Sequence, residues 1–394
     1  MKRWMSLILA LILALSLAAC SSGGGSGSGD TGGSGDTGSS DAGSTGDSQE
    51  DWITANWSFA TWLTETNPFQ ENIITLQENL DEYCNGTIQI TTYPSSTLLG
   101  PSDMLDGLEA GTAELVYIQL DYFPNAFPVS QVMNYPGINY NSALVATKVW
   151  REFQETFPDI QAEYEGYVPW MWQSSGPSCL FGNFPVTSLS DIAGKQMAAV
   201  GSVNAEILEA WGATPVTLDT SDIYEAMRNG LVDGRIGMFG ACAMSGLDEV
   251  ASDAIIFPMG SYSFIGLMRQ DLLDSMPASQ QEAFLKAVDA TFNECTIYYQ
   301  DYGLAGEPRV VECVNNVNTT FAEGAVLEEM TEACSYMLED YCAQLTEMGY
   351  DGEGAYNLLL ELADKYNQEM TWEEYANCYY DTSYFDGLYT PPEK

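Results

Sequence analysis

The sequence predicts an α/β protein of two similar lobes. Residues 87–120 alternate strand, helix and strand. Two passages, MLDGLEAGTAELVYI (104–118) and IYEAMRNGLVDGRIG (223–237), repeat one order: a helix, a stopping glycine, two residues, an acid, then a strand. The chain has 394 residues, 45% hydrophobic and 12% aromatic, enough for two packed cores.

The elements follow in order. Lys2 and Arg3 precede an apolar run over residues 6–17, then Leu17-Ala18-Ala19-Cys20. This reads as a secretory signal over 1–19, too short and too early for a spanning helix. Leu-Ala-Ala-Cys resembles a bacterial lipobox, which implies a lipid on Cys20 and a tether to the membrane. Residues 21–50 continue almost wholly as Ser, Gly, Asp and Thr, so that 20–50 joins Cys20 to the linker. Such a segment buries too little surface to offset its ordering entropy, so it reads as a flexible linker, with folding expected from about Trp52.

Phe69, Ile73, Leu76 and Leu80 keep helical spacing, predicting a helix over 68–83 that Asn85-Gly86 ends. Residues 87–92 alternate and are β-branched, as a strand requires. A loop follows, then a helix over 104–110 stopped by Gly111, then a strand over 113–120. This β-α-β order implies parallel strands. Strands are also predicted over 167–172, 195–200 and 214–218, with a helix over 202–211. Thr220 or Ser221 is placed to cap the next helix, with Asp222 in its first turn. Ile223, Met227 and Leu231 share one face of it, Gly230 ends it, and a short strand follows Gly234.

Beyond Phe264 the chain is predicted to be helical. Met276-Pro277-Ala278-Ser279 starts a long helix in which Phe284, Val288 and Phe292 stack at four-residue intervals. Further helices are expected over 324–348, 355–367 and 373–378, and residues 386–394 form a loose tail.

Charge narrows the function. Twelve Lys and Arg stand against 56 Asp and Glu, a net −44. That argues against nucleic acid and against adsorption to anionic lipid. There is no histidine, which removes imidazole acid–base chemistry and most zinc sites. Beyond Cys20 there are eight cysteines with no Cys-x-x-Cys pair, leaving both disulfides and buried thiols open.

With GATPVTLDTSDIYEAMRNGLVDG (212–234) the chain resembles a family, the solute receptors of tripartite ATP-independent periplasmic (TRAP) transporters. Gly212-Ala213-Thr214-Pro215, Ser221-Asp222-Ile223-Tyr224 and Gly230-Leu231-Val232-Asp233-Gly234 match its run of Gly-Ala-x-Pro, Ser-Glu-Val-Tyr and Gly-x-Val-Asp-Gly. YPSSTLLG (93–100), GTAEL (111–115), SLSDIAGK (188–195) and SMPASQQEAFLKA (275–287) follow the family's order. The resemblance implies a two-lobe periplasmic-binding-protein (venus flytrap) fold with a long bridging helix. It divides the chain into lobe I (51–176 and 264–303) and lobe II (177–263 and 304–385). It further implies capture of an organic acid by lobe closure, transfer to a membrane permease, and a place outside the cytoplasm, on the outer face of the membrane or in the periplasm. No cofactor, metal or catalysis is expected.

The family's clamping arginine falls at Ala198, a second at about Ser178, and its frequent asparagine at about Gly237, so all three usual contacts are replaced. Two readings stand. In one, Arg235, just past the Asp233-Gly234 turn, holds a carboxylate from a new direction; against it stands an exposed Arg235 paired with Asp233. In the other, the solute is apolar, aromatic or cationic, held by Trp57, Tyr117, Trp172 and Phe239. The expected site is Trp57, Tyr117, Trp172, Ser178, Ala198, Gly201, Thr220, Arg235, Gly237 and Phe239; Lys195 is expected to face solvent. Competing functions are a sensor that signals to a membrane kinase and an extracellular hydrolase using Asp222 and Asp233. The hydrolase lacks any Gly-x-Ser-x-Gly element.

Overall fold

A computed structural model describes residues 52–378, apart from Thr66, Asp219 and residues 305–307. The expected signal, Cys20, linker and tail therefore lie outside the described residues. The chain first builds β1 (Ala55–Ala60), α1 (Glu71–Tyr83), β2 (Ile88–Tyr93), α2 (Met104–Glu109), β3 (Leu115–Gln119), α3 (Ala143–Thr156), α4 (Pro158–Glu163) and β4 (Tyr167–Ser174). After three residues it starts a second set: β5 (Ser178–Gly182), β6 (Gln196–Ala199), α5 (Ser202–Ala210), β7 (Thr214–Thr217), α6 (Ile223–Arg228), β8 (Gly234–Met238), α7 (Phe239–Met244) and β9 (Asp253–Phe257). Then come β10 (Ser263–Arg269), α8 (Gln270–Asp274), α9 (Ala278–Leu304), α10 (Pro308–Asn316), β11 (Asn318–Phe321), α11 (Gly324–Met348), α12 (Gly352–Asn367) and α13 (Trp372–Cys378).

Two sheets result, in the orders β2-β1-β3-β10-β4 and β11-β9-β5-β8-β6-β7. The β-α-β passages pair in parallel as expected: β1 with β2 and β3, and β6 with β7 and β8. Both sheets are nevertheless mixed. β10 runs antiparallel between β3 and β4, and β5 antiparallel between β8 and β9. The helical expectation just past Phe264 is thereby corrected. Phe264-Ile265-Gly266-Leu267-Met268 is a continuous apolar run, and such a run does not separate a fully buried strand from a helix. Here it completes the first sheet. β11, at the edge of the second, is also a strand within the helical expectation.

Alternation along the second sheet sorts its two faces. Cys179, Phe181, Ala198, Ala254 and Ile256 pack with α6, α7 and α10. Their neighbours Leu180, Met197, Ala199, Ile255 and Phe257 pack with α5 and α11. A sheet covered on both faces reads as continuous apolar strands. The two echoed passages form α2–β3 and α6–β8, and Gly111 and Gly230 both hold positive φ where their helices stop. Ile223 and Met227 are buried, but Leu231 is 55% exposed, because it lies beyond that stop. Asp222 takes the N-cap position of α6 and makes no side-chain capping bond.

α9 carries Phe284, Val288 and Phe292 into the first core, as their spacing predicts. α11 joins two cores. Met330, Cys334 and Met337 pack beneath the second sheet, whereas Leu338, Tyr341, Cys342 and Leu345 belong to the first core. α12 also packs there, against α3. Residues 338–363, expected with lobe II, thus share the core of the first sheet: the apolar faces of α11 and α12 are continuous across the division that the sheets define. Cys84, Cys179, Cys242, Cys295, Cys334 and Cys342 are free thiols and buried, and Cys313 is buried as well. Among the described residues no helix is long and apolar enough to cross a membrane.

Candidate functional site

Both sheets turn the carboxyl ends of their parallel strands toward one cavity of about 310 Å³. That is where loops leave a parallel sheet and where ligands bind in open α/β folds. Trp62 and Leu63 follow β1, Gln119 ends β3, and Gln173 and Ser174 end β4. From the second sheet come Val200 after β6, Met238 ending β8, and Phe239, Ala241 and Met244 of α7. Tyr262, before β10, closes the wall.

Among the described residues of this lining, Arg235 alone is charged. It is only 4% exposed. Its Nε donates to the Ile236 carbonyl at 3.3 Å, and its Nη1 is buried with no partner. Elsewhere Lys148, Arg151, Arg228, Arg269, Lys286 and Lys365 each pair with a carboxylate. Among the described residues none reaches Arg235. Asp233 is turned away, accepting instead from the Gln196 amide at 2.8 Å, so the surface-paired reading of Arg235 is corrected. The buried positive charge is felt nearby: it lowers the proton affinity of Tyr262, against a larger upward push from burial. A buried charge without a partner is costly, and an anion in the cavity would offset that cost.

The strand register explains how the arginine reaches this place. Arg235 on β8 lies directly beside Ala198 on β6 and Phe181 on β5. Ala198 is small, so it leaves the space over β6 open. Two residues on, Gly237 shares the face of Arg235, and a Cβ there would come within 2.5 Å of the Arg235 Nη2. The guanidinium thus lies over Gly237, where a longer side chain would displace it.

Trp62 supplies a second orphan donor. Its Nε1 is also buried without a partner, and its ring stacks on Phe264 with centroids 6.4 Å apart. The cavity therefore presents one unsatisfied N–H donor from each side, between walls formed by Phe69, Phe239, Met238 and Met244. Such a site favours an acceptor-rich, anionic head on an apolar body.

The expected residues divide. Arg235, Phe239 and the exposed Thr220 line this cavity. Ser178 and Gly201 line a smaller chamber beside it. Ala198 and Gly237 stand behind, next to Arg235. Three aromatics are corrected to core. Trp57 meets Phe284 edge-on at 5.8 Å. Trp172 packs on Phe292 and Arg151 and donates to Gln154 at 3.0 Å. Tyr117 stacks on Phe264 and donates to the Gln173 side chain, one layer behind the wall. All three sit inside strands rather than at their ends. Lys195 lies over the Phe184 ring at 4.6 Å, outside both linings. Among the described residues there is no cluster fit to hold a metal.

Comparison with known proteins agrees with the two-sheet fold. Residues 59–340 match the family described as bacterial extracellular solute-binding protein, family 7. The C4-dicarboxylate-binding periplasmic protein DctP of Rhodobacter capsulatus is 22% identical over 273 residues, covering 69% of this chain and 80% of that one. A TRAP periplasmic solute-binding protein from Desulfovibrio salexigens superposes with a TM-score of 0.71 at 22% identity, over 79% of this chain and 96% of that one. A marine metagenome TRAP solute-binding protein specific for aromatic acids, from an unidentified microbe and solved with 3-hydroxybenzoate, superposes with a TM-score of 0.70 at 19% identity, over 80% and 99%. With its two mixed sheets as two lobes about a cavity, the chain belongs to family 7 of the bacterial extracellular solute-binding proteins, the solute receptors of TRAP transporters.

Proposed function

We propose that this receptor captures a small monocarboxylate with a flat apolar body, and that Arg235 holds the carboxylate. The single observation behind this is the buried guanidinium in the cavity wall, with no carboxylate among the described residues to neutralise it. It takes over, from the adjacent strand, the clamp that the family places at Ala198. A cavity of about 310 Å³ is at the small end for ligand sites and suits a one-ring acid. Binding of aromatic acids by the marine relative supports this choice.

The two sheets act as the lobes, hinged where the chain crosses between β4 and β5 and between β9 and β10. Closure brings Trp62 and Arg235 onto one ligand, and only the closed state makes both contacts. The loaded receptor then delivers its solute to a TRAP permease, held near the membrane through lipidated Cys20. The family is one of transport receptors rather than enzymes, and Asp222 and Asp233 act as a helix end and a turn brace.

The test is calorimetry with benzoate, 3-hydroxybenzoate, succinate, benzamide and benzylamine. The ring acids should bind to the wild type, and Arg235→Ala should cost roughly 2–5 kcal/mol, as when one partner of a buried charge pair is removed. Equal binding of benzamide and benzoate, or full affinity in Arg235→Ala, would remove the arginine from the site.

A further inference from the structure

Beside the main cavity lies a chamber of about 110 Å³ between the same two sheets. Val200 and Tyr262 belong to both linings and form the shared wall. The smaller chamber has the opposite electrostatic character. Among its described lining residues, Asp121, just past β3, alone is charged. The Asp121 carboxylate accepts from the Gln119 amide at 2.8 Å and from the Asn134 amide. Both donors are neutral, and among the described residues no Lys or Arg pairs with Asp121. Burial pushes its carboxyl up to about 6, only partly offset by Gln119. Tyr135 and Tyr341 also line the chamber, stacked with centroids 4.2 Å apart. Glu206 adds a further negative field at Tyr135. The Tyr262 phenol lies in the fields of both Asp121 and Arg235.

A lone carboxylate beside tyrosine rings, in a pocket lined by amides and hydroxyls, is the chemistry that recognises an ammonium group. An anion is disfavoured there by Asp121, and a neutral apolar group would leave the Asp121 charge, held only by the neutral Gln119 and Asn134 amides, without a counter-charge. We propose that this chamber is a subsite for an organic ammonium, so that the receptor's full ligand set includes a cation as well as the carboxylate at Arg235. The ammonium comes either from the far end of the same acid or from a separate small amine. In the first case its charge must stand off from the carboxylate by at least the thickness of the Val200–Tyr262 wall. An α-amino acid, with both charges on one carbon, does not meet that condition; an ω-amino acid or an aminomethyl-substituted ring acid does. The single-ligand case rests on the carboxylate reading of the main cavity, whereas the separate-amine case does not.

Calorimetry on the full chain decides it, with matched probes: benzoate against 3- and 4-(aminomethyl)benzoate, pentanoate against 5-aminopentanoate, and benzylamine alone. For the wild type, an amino-bearing acid should bind at least tenfold more tightly than its unsubstituted partner. Asp121→Asn should abolish that advantage and leave benzoate unchanged. Binding of benzylamine alone, lost in Asp121→Asn, would assign the chamber to a separate amine. Asp121→Ser serves as a second variant, and the melting temperature without ligand reports that each is folded. If no amine-bearing probe exceeds its partner and benzylamine does not bind, or if both Asp121 variants bind amines as the wild type does, the subsite is refuted. Failure of benzoate and pentanoate to bind, with amine binding intact and dependent on Asp121, would instead overturn the carboxylate clamp and leave the subsite standing.

Discussion

At the scale of the residue, the role proposed for Arg235 sets function against stability. A guanidinium that is 4% exposed, with one nitrogen unpartnered, weakens the empty protein. Arg235→Met keeps the volume of the stem and removes the charge. In the absence of ligand it should stabilise the fold, by about 1–4 kcal/mol if the gain matches that seen when buried ion pairs are replaced by apolar side chains of similar volume. The same variant should not bind carboxylates. Urea unfolding of both forms checks this, and a less stable Arg235→Met would mean that the guanidinium has a compensating partner. Arg235 was legible in the sequence as a cation placed just after a turn, with a small residue two positions on. The aromatics were not. A tryptophan inside a strand has the same local pattern whether it meets a helix, as Trp57 does, or a cavity. Trp62 was within reach of one rule: it follows the carboxyl end of a parallel strand, where ligands collect.

At the scale of the element, β10 matters most to the site. It joins β4 to β3, and Phe264 on it is fully buried. That ring stacks on Tyr117 at 5.8 Å and supports Trp62 and Phe69, both on the cavity wall. Phe264→Ala should cost about 3–5 kcal/mol of stability and loosen the stacked Trp62. Denaturant titration, with tryptophan emission followed alongside, measures both; a loss under 1 kcal/mol would show that the wall does not rest on this ring. β10 was also the element that sequence periodicity misread, since both its faces are covered and no alternation survives. By contrast, helix 324–348 was legible to its limits, because Gly324 and Gly349 bracket it and both take positive φ. The β-α-β passages were legible for the same reason, with a stopping glycine between two clear periodicities.

At the scale of the whole molecule, acid should stabilise this protein over a defined window. Burial raises Glu163 to about 7, against the bonds it accepts from Val129 and Ser130, and raises Asp121 to about 6. Both values lie above the ordinary carboxylate range, so the folded state binds more protons than the unfolded one between about pH 4.5 and 7. Stability is then highest below that window and falls as pH rises through it. Relief of the net −44 charge acts in the same direction. Glu152, Asp191, Glu282 and Glu374 are lowered instead, and their contribution is lost only at more acid pH. The melting temperature should be higher at pH 5 than at pH 8, and Glu163→Gln should flatten the slope. A higher value at pH 8 would contradict the sign.

α11 places Met330, Cys334 and Met337 in one core and Leu338, Tyr341, Cys342 and Leu345 in the other. A rod seated in both halves cannot leave one without exposing apolar side chains to water at the other. Heating should therefore melt the pair as a unit, and the proposed swing about the β4–β5 and β9–β10 crossings must carry or bend this rod rather than pull the halves apart.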